Sequence, residues 1–295
     1  MKKVFITLKS HINKRNTIFI IFTLLILKIC VEALANLFQL DIHNEFCSHV
    51  FLIPFVSGYL IYKKRESIFF QPEYSCVVGI VIVTVGISLL LFRRNMNESL
   101  GINDYVALTV SSALILWIGG FILLYGINAF RAAAFPILSL FFMIPVPSLI
   151  LDKIIYALNV GSAWVTYVLF KLTGISCLKQ GFVFYCPGIN ILIDRQCSGI
   201  RSTMGILIPA VFSTYLFLYT GWRRALFILA VFPITILKNG FRILVLSMIA
   251  VYSNPQNPAL VFLHSHGGVL FAVPAVCFLG LILILLIKSE QKSQN

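Results

Sequence analysis

Electrical charge is scarce in this sequence. Only 11% of its 295 residues are Asp, Glu, Lys or Arg, whereas an ordinary soluble domain carries about 25%. Hydrophobic residues make up 59% of the chain, and the mean hydropathy is +0.96. A chain this apolar cannot cover its surface with polar side chains, so most of it must face lipid. Composition therefore excludes a soluble globular protein.

Several other signals are missing. The seven cysteines contain no CxxC pair, so zinc and iron–sulfur spacings are absent. No low-complexity tract, soluble domain or internal repeat interrupts the apolar runs. Internal repetition is common in transporters, so its absence disfavours that class.

The net charge of +13 could indicate a nucleic-acid partner. The basic residues, however, occur in short clusters between apolar runs, as in cytoplasmic loops that follow the positive-inside rule. The charge pattern therefore predicts a membrane protein with no nucleic-acid partner.

The apolar runs predict an all-α integral membrane protein, a polytopic bundle of about eight transmembrane helices, because about 20 apolar residues cross a bilayer. A long apolar first run followed by further spans favours an uncleaved first helix over a signal peptide. We expect a basic cytoplasmic N-terminus at 1–16, one membrane domain at 17–287 and a cytoplasmic tail at 288–295. The predicted spans are 17–37, 46–62, 75–92, 105–126, 129–147, 202–220, 225–251 and 268–287.

Lysine and arginine set the expected orientation, with both termini in the cytoplasm. This orientation requires that 148–201 stay on the outer face. Its apolar part, 151–172, is interrupted by polar residues and is predicted to form an interfacial or re-entrant helix, with a ninth span as the alternative. The basic residues that would face inward are Lys63, Lys64, Arg65, Arg131, Arg223, Arg224, Lys288 and Lys292.

A short β-hairpin is predicted next, because the β-prone run 182–185 is followed by Cys186-Pro187-Gly188 and the apolar run 189–193. The hairpin leads directly to Cys197. Cys177 and Cys186 flank its first strand and could form a disulfide outside the cytoplasm.

The segment DRQCSGIRS, residues 194–202, is the sharpest candidate site. Cys197 is predicted at the start of a membrane helix, with Arg201 one turn later. A helix N-terminus and a nearby guanidinium both favour a thiolate. Ser198 and Gly199 are small enough to let a peptide backbone approach. The alternative is an interfacial cysteine with flanking charge.

Two further polar groups occur in the C-terminal third of the chain. The segment KNGFR places Lys238, Asn239 and Arg242 in an apolar helix, where an arginine is a functional candidate by default, or else a structural ion pair. His264 and His266 precede the last predicted helix and could serve as a base or pair with a thiolate. The charge rule places these groups and Cys197 on the same outer side, which suggests thiol acyl transfer.

Three motifs carry a family resemblance. CSGIRS, the later NGFRI and the final H-x-x-x-G resemble, in that order, the three motif blocks of the exosortase/archaeosortase family. The upstream Ile144-Pro145-Val146-Pro147 and Gly174-Ile175 also resemble the family pattern. The resemblance covers roughly residues 15–287.

The resemblance implies a membrane-embedded cysteine protease or transpeptidase in the inner membrane, with its site on the non-cytoplasmic face. Cys197 would form an acyl-thioester, Arg242 would donate a proton or stabilise charge, and a histidine would complete the site. His264 is favoured over His266 because Gly268 follows it by four residues. Arg201, Asn239, Ser198 and Gly199 would support the site, and no metal or organic cofactor would be needed.

The implied substrates are secreted proteins with a C-terminal tail made of a short motif, a transmembrane helix and a basic end. The acyl group would pass to an acceptor, either a lipid or a polysaccharide, and membrane lipids would surround the protein. Two rival functions remain open. One is a small transporter in which Lys238 and Arg242 line an anion path, and the other is a non-catalytic assembly partner of polysaccharide export.

Overall fold

The computed structural model describes residues 14–44, 52–69, 74–96, 100–187, 189–252 and 258–294. This part of the chain is mostly α-helical, with one small antiparallel sheet. Seven of its helices are long and apolar enough to cross a membrane, by length and composition. The prediction of an all-α polytopic membrane protein is confirmed.

The chain divides into two compact units, Met1–Ser148 and Leu149–Asn295. The division into a membrane domain at 17–287 and two cytoplasmic ends stays a prediction.

The first unit is built around one long helix, α5. Glycines at Gly79, Gly86 and Gly119 let α4 and α5 pack closely, since a Cβ at each would come within 2.8 Å of the other helix. The helices are α1 (Lys14–Asn44), α2 (Leu52–Lys63), α3 (Arg65–Phe69), α4 (Cys76–Asn95), α5 (Ile102–Ala132) and α6 (Ala134–Ser139), followed by a 3₁₀ turn at Leu140–Met143.

One predicted span in this unit is wrong as a continuous helix, and another lies partly outside the described residues. Of the predicted span 46–62, residues 52–62 lie in α2; residues 45–51 lie outside the described part, so this span stays a prediction. The predicted span 129–147 overlaps the end of α5, then breaks into α6 and the 3₁₀ turn. The predicted boundary after 126 has a structural counterpart, because Gly126 has φ 88° and interrupts α5.

The second unit begins with α7 (Ser148–Thr173), whose first residue belongs to the first unit. A small sheet follows, with strands β1 (Leu178–Gln180), β2 (Val183–Cys186) and β3 (Ile189–Leu192). A 3₁₀ turn (Arg195–Cys197) then leads to helices α8 (Ile200–Phe217), α9 (Gly221–Tyr252) and α10 (Pro258–Gln294). Helices α8, α9 and α10 pack on one another around a shared apolar core. Each contains an internal proline, which membrane helices tolerate.

The predicted hairpin is present and gains a third strand, so the sheet order is β1-β2-β3. Register pairs Leu178 with Tyr185 and Val183 with Leu192. Phe184 is fully buried against Phe170 of α7, with ring centroids 5.4 Å apart. The candidate disulfide is also present, joining Cys177 to Cys186. Packing and the disulfide together fix the strands that lead to Cys197.

Helix α7 is the segment for which an interfacial position is predicted. Its 26 residues and hydropathy place it among the seven candidate spans. Its contacts, however, run along the hairpin segment at both ends: Asp152 pairs with Arg195, and Tyr156 and Phe170 contact Phe182 and Phe184. The helix also packs along α9, where Ser162 accepts from Asn239 and Gly161 lies against Ile236. The interfacial position therefore stays a prediction, with a further span as the alternative.

Candidate active site

Cys197 lies in the 3₁₀ turn that joins the sheet to α8. The turn is held by two hydrogen bonds to Asp194: its carboxylate accepts from the Arg195 amide at 2.6 Å, and its carbonyl accepts from the Cys197 amide at 2.9 Å. The thiol is free and half-buried. Cys197 lies at the end of the 3₁₀ turn that precedes α8, which begins three residues later at Ile200, two residues before the predicted span.

Gly199 separates the cysteine turn from α8, and its geometry requires glycine for two reasons. Its φ is +72°, which L side chains rarely adopt, and a Cβ there would lie 3.0 Å from the Asn239 side chain. The Gly199 carbonyl accepts hydrogen bonds from the Thr203 amide and the Ser202 hydroxyl, both at 2.9 Å. These bonds start α8 in the required direction.

Ser198 is 2% exposed, and its hydroxyl donates to the Arg195 carbonyl at 2.7 Å. It therefore stabilises the turn itself. Whether a substrate backbone approaches beside Ser198 and Gly199 stays a prediction.

Asn239 of α9 forms a hydrogen bond with the backbone of the cysteine turn. Its side chain is 1% exposed, and its Nδ2 donates to the Cys197 carbonyl at 2.7 Å and to the Ser162 hydroxyl of α7 at 2.9 Å. A carbonyl can only accept, so this bond also fixes which end of the amide faces Cys197. One buried amide thus joins α7, α9 and the candidate nucleophile.

Arg242 lies three residues after Asn239, on the same side of α9. Its guanidinium is half-buried and interacts electrostatically with Cys197 and Arg201, attractively with the cysteine and repulsively with the arginine. The structure therefore brings together three residues that the sequence analysis selected from two separate motifs.

The model of the transmembrane exosortase family matches residues 41–280, well over half of the chain. The chain belongs to the transmembrane exosortase family. No curated protein and no solved structure matches it. The matched range includes the cysteine turn, Asn239, Arg242 and both candidate histidines, so the resemblance noted from the three motifs is confirmed at the level of the family.

His264 and His266 lie within α10, which begins at Pro258, ten residues before the predicted span. They precede the candidate membrane span Gly267–Ser293, which agrees with the predicted span 268–287. The side chains of His264 and His266 lie outside the described part of the structure. Their part in the site stays a prediction.

One residue at the site was not selected from the sequence, and another, Lys238, was named only for the transporter alternative. The Lys238 ammonium is 9% exposed and donates to the Ser202 hydroxyl of α8. Ser162 accepts from Asn239. The sequence does contain a pattern that could have identified Ser162, because Asn159, Ser162 and Thr166 recur at helical spacing in an apolar segment. All three are buried in the structure.

Arg195 forms an exposed salt bridge with Asp152 at 2.8 Å. Both side chains are more than half exposed, so the pair contributes about 0–1 kcal/mol. The cysteine turn is therefore held mainly by buried hydrogen bonds rather than by this ion pair.

Proposed function

We propose that this exosortase-family protein is a cysteine transpeptidase that cleaves the C-terminal sorting tail of secreted proteins. The observation that carries the proposal is the hydrogen bond from the buried Asn239 amide to the Cys197 carbonyl at 2.7 Å, which holds the cysteine against the helix that also bears Arg242. A thiol placed beside a fixed cation is suited to nucleophilic catalysis.

The reaction has two steps. The Cys197 thiolate attacks the carbonyl carbon of the scissile peptide bond; the C–N bond breaks, and the departing amine takes up a proton. The acyl-thioester is then attacked by a hydroxyl or amine of the acceptor, which forms the new ester or amide bond, loses its proton and releases the thiol. Neither step consumes a metal ion, an oxidant or a reductant.

Arg242 would stabilise the negative charge on the thiolate and on the tetrahedral intermediate. His264, or His266 as the alternative, would carry the proton between the leaving amine and the acceptor. Asn239 would hold Cys197 in position through its carbonyl, and Arg201 would add to the positive potential. Gly199 and Ser198 would support the site by shaping the turn.

The site would lie on the non-cytoplasmic face of the inner membrane. The Cys177–Cys186 disulfide, eleven residues before Cys197, supports this side because disulfides persist in oxidising compartments. The tail helix of the substrate would lie beside the bundle and present its motif at that face. A site at the membrane surface reaches such a tail without a soluble domain.

The proposal is tested by trapping the acyl-enzyme. The full-length protein is co-expressed with secreted reporters that carry candidate tails, and the reporter mass is measured for the unaltered chain and for Cys197→Ala. We expect tail removal only with Cys197 present, and a covalent adduct that neutral hydroxylamine releases. The matched control is Cys277→Ala, since Cys277 is a free, exposed cysteine of α10.

Tail removal that persists in Cys197→Ala would refute the cysteine mechanism. A chain that affects polysaccharide export equally with and without Cys197 would instead support the non-catalytic assembly role.

A further inference from the structure

Two lysines converge on one aromatic pair at the end of α7. Lys171 Nζ lies 4.8 Å from the Tyr167 ring centroid. Lys179 Nζ, on β1, lies 4.3 Å from the Trp164 centroid and 6.0 Å from that of Tyr167. The Trp164 and Tyr167 rings pack edge to face, 6.1 Å apart. Two cations from different elements therefore share one aromatic surface.

A cavity adjoins Tyr167 and Lys171, and its other lining residues are Phe170, Gly174, Ile175, Ser176 and Cys177. It combines an ammonium, a hydroxyl and an aromatic wall. Within the described part of the chain, neither Lys171 nor Lys179 forms an ion pair with a carboxylate. Both ammonium groups lie within 6.0 Å of the Tyr167 ring centroid, and like charges repel, so an anion bound near this ring would be favoured.

The position of this aromatic pair relative to the membrane indicates which kind of anion would bind. Tryptophan and tyrosine concentrate at the level of lipid headgroups, and lysines near helix ends extend to the same level. Trp164 is 58% exposed and Leu172, beside Lys171, is 77% exposed, so apolar and aromatic surface adjoins the two ammonium groups. A ligand with an anionic head and an apolar body fits this surface.

We propose that Trp164, Tyr167, Lys171 and Lys179 form a binding site for the phosphate headgroup of an anionic phospholipid. The bound phosphate joins the end of α7 to β1, the strand that follows the Cys177 disulfide. Since the sheet leads to Cys197, the lipid holds the cysteine-bearing segment at the membrane surface. The proposal rests on the fold and on the membrane location, and does not depend on the proposed chemistry.

The test uses delipidated full-length protein in a neutral detergent, with phosphatidylglycerol as the probe and phosphatidylcholine as the neutral comparison. Native mass spectrometry measures how many lipid molecules stay bound as the lipid is titrated. The variant is Lys171→Gln with Lys179→Gln. Its matched control is Lys153→Gln with Lys288→Gln, which removes two exposed lysines elsewhere in the same unit.

We expect the site variant to bind phosphatidylglycerol about thirtyfold more weakly, roughly fivefold for each lysine. The control pair should bind as the unaltered protein does. Phosphatidylcholine binding should be equal in all three proteins. Lys171→Arg with Lys179→Arg should restore phosphatidylglycerol binding, because the charge and the aromatic contact are both kept.

Three results would overturn the proposal. The first is an equal loss of phosphatidylglycerol in the site variant and the control pair, which would indicate a diffuse charge effect. The second is an equal loss of both lipids, which would indicate a purely apolar contact. The third is full displacement of phosphatidylglycerol by inorganic phosphate at equal concentration, which would identify a small-anion site.

Discussion

The second unit contains two buried polar clusters that differ in how their charges are balanced. In one, Glu290 of α10 accepts hydrogen bonds from the Tyr219 and Thr220 amides at 2.9 and 2.6 Å and pairs with Arg223 at 3.4 Å. In the other, Lys238 donates to a serine hydroxyl and lies near the like-charged Arg242.

The way the charges are balanced distinguishes a cluster that stabilises the fold from a cluster that belongs to the candidate site. A buried cation next to a carboxylate that is itself fully hydrogen-bonded stabilises one packing arrangement. A buried cation beside a hydroxyl and a second cation is a functional candidate, because charge inside a membrane segment is costly. The cluster at Glu290 fastens α10 to the α8–α9 connection, whereas the cluster at Lys238 and Arg242 faces the cysteine turn.

The largest expected effect concerns the histidines. His264→Ala should lower tail removal by about 10²–10⁴-fold, the usual contribution of a general acid or base, while His266→Ala should have a milder effect. Protein levels in the membrane should be equal. The reverse order would assign the role to His266, and full activity in the double variant would remove histidine from the site.

Arg242→Lys keeps the positive charge but loses the planar guanidinium fork. If Arg242 donates directed hydrogen bonds to a developing oxyanion, about 2.7–4 kcal/mol is lost, or roughly a hundredfold or more in rate. The matched change in the structural cluster, Arg223→Lys, should leave the rate per folded molecule unchanged. If Arg242→Lys is as active as the unaltered chain, Arg242 contributes only a diffuse positive potential and no directed hydrogen bond.

Asn239→Asp tests the amide that holds the cysteine turn. The carboxylate has the same shape but cannot donate to the Cys197 carbonyl, and its charge repels that oxygen. We expect slower tail removal, on the order of tenfold, and slower alkylation of Cys197 by a membrane-impermeant maleimide. Ser162→Ala removes only the second acceptor of the same amide and serves as the milder control. Unchanged alkylation in Asn239→Asp would show that the bond does not position the thiol.

Glu290→Gln should have the smallest effect on catalysis and a clear effect on stability. The neutral amide cannot balance Arg223, so the detergent-solubilised protein should aggregate at a lower temperature. The rate per folded molecule should stay close to that of the unaltered chain. A large loss in the rate of tail removal, with an unchanged aggregation temperature, would show that Glu290 takes part in catalysis. The two clusters would then not differ in function.

Sequence patterns were most informative where a signal is local. Apolar runs predicted the helices that became α1, α4, α5, α8, α9 and α10, and β-prone runs around a turn predicted two of the three strands. They failed at 129–147, because hydropathy does not detect breaks such as those around α6. They also did not predict the 3₁₀ turn and the left-handed Gly199 that separate Cys197 from α8.

The sequence by itself determined the membrane class, the family motifs and the identity of the candidate nucleophile, because composition and short motifs are properties of the chain. Only the tertiary structure decided what holds Cys197: the Asn239 amide, the Ser162 hydroxyl and the disulfide-linked sheet. Ser162 lies 35 residues before Cys197, and Asn239 lies 42 residues after it. A hydrogen bond across such a separation depends on how helices pack, and packing is set by the whole fold rather than by any local pattern.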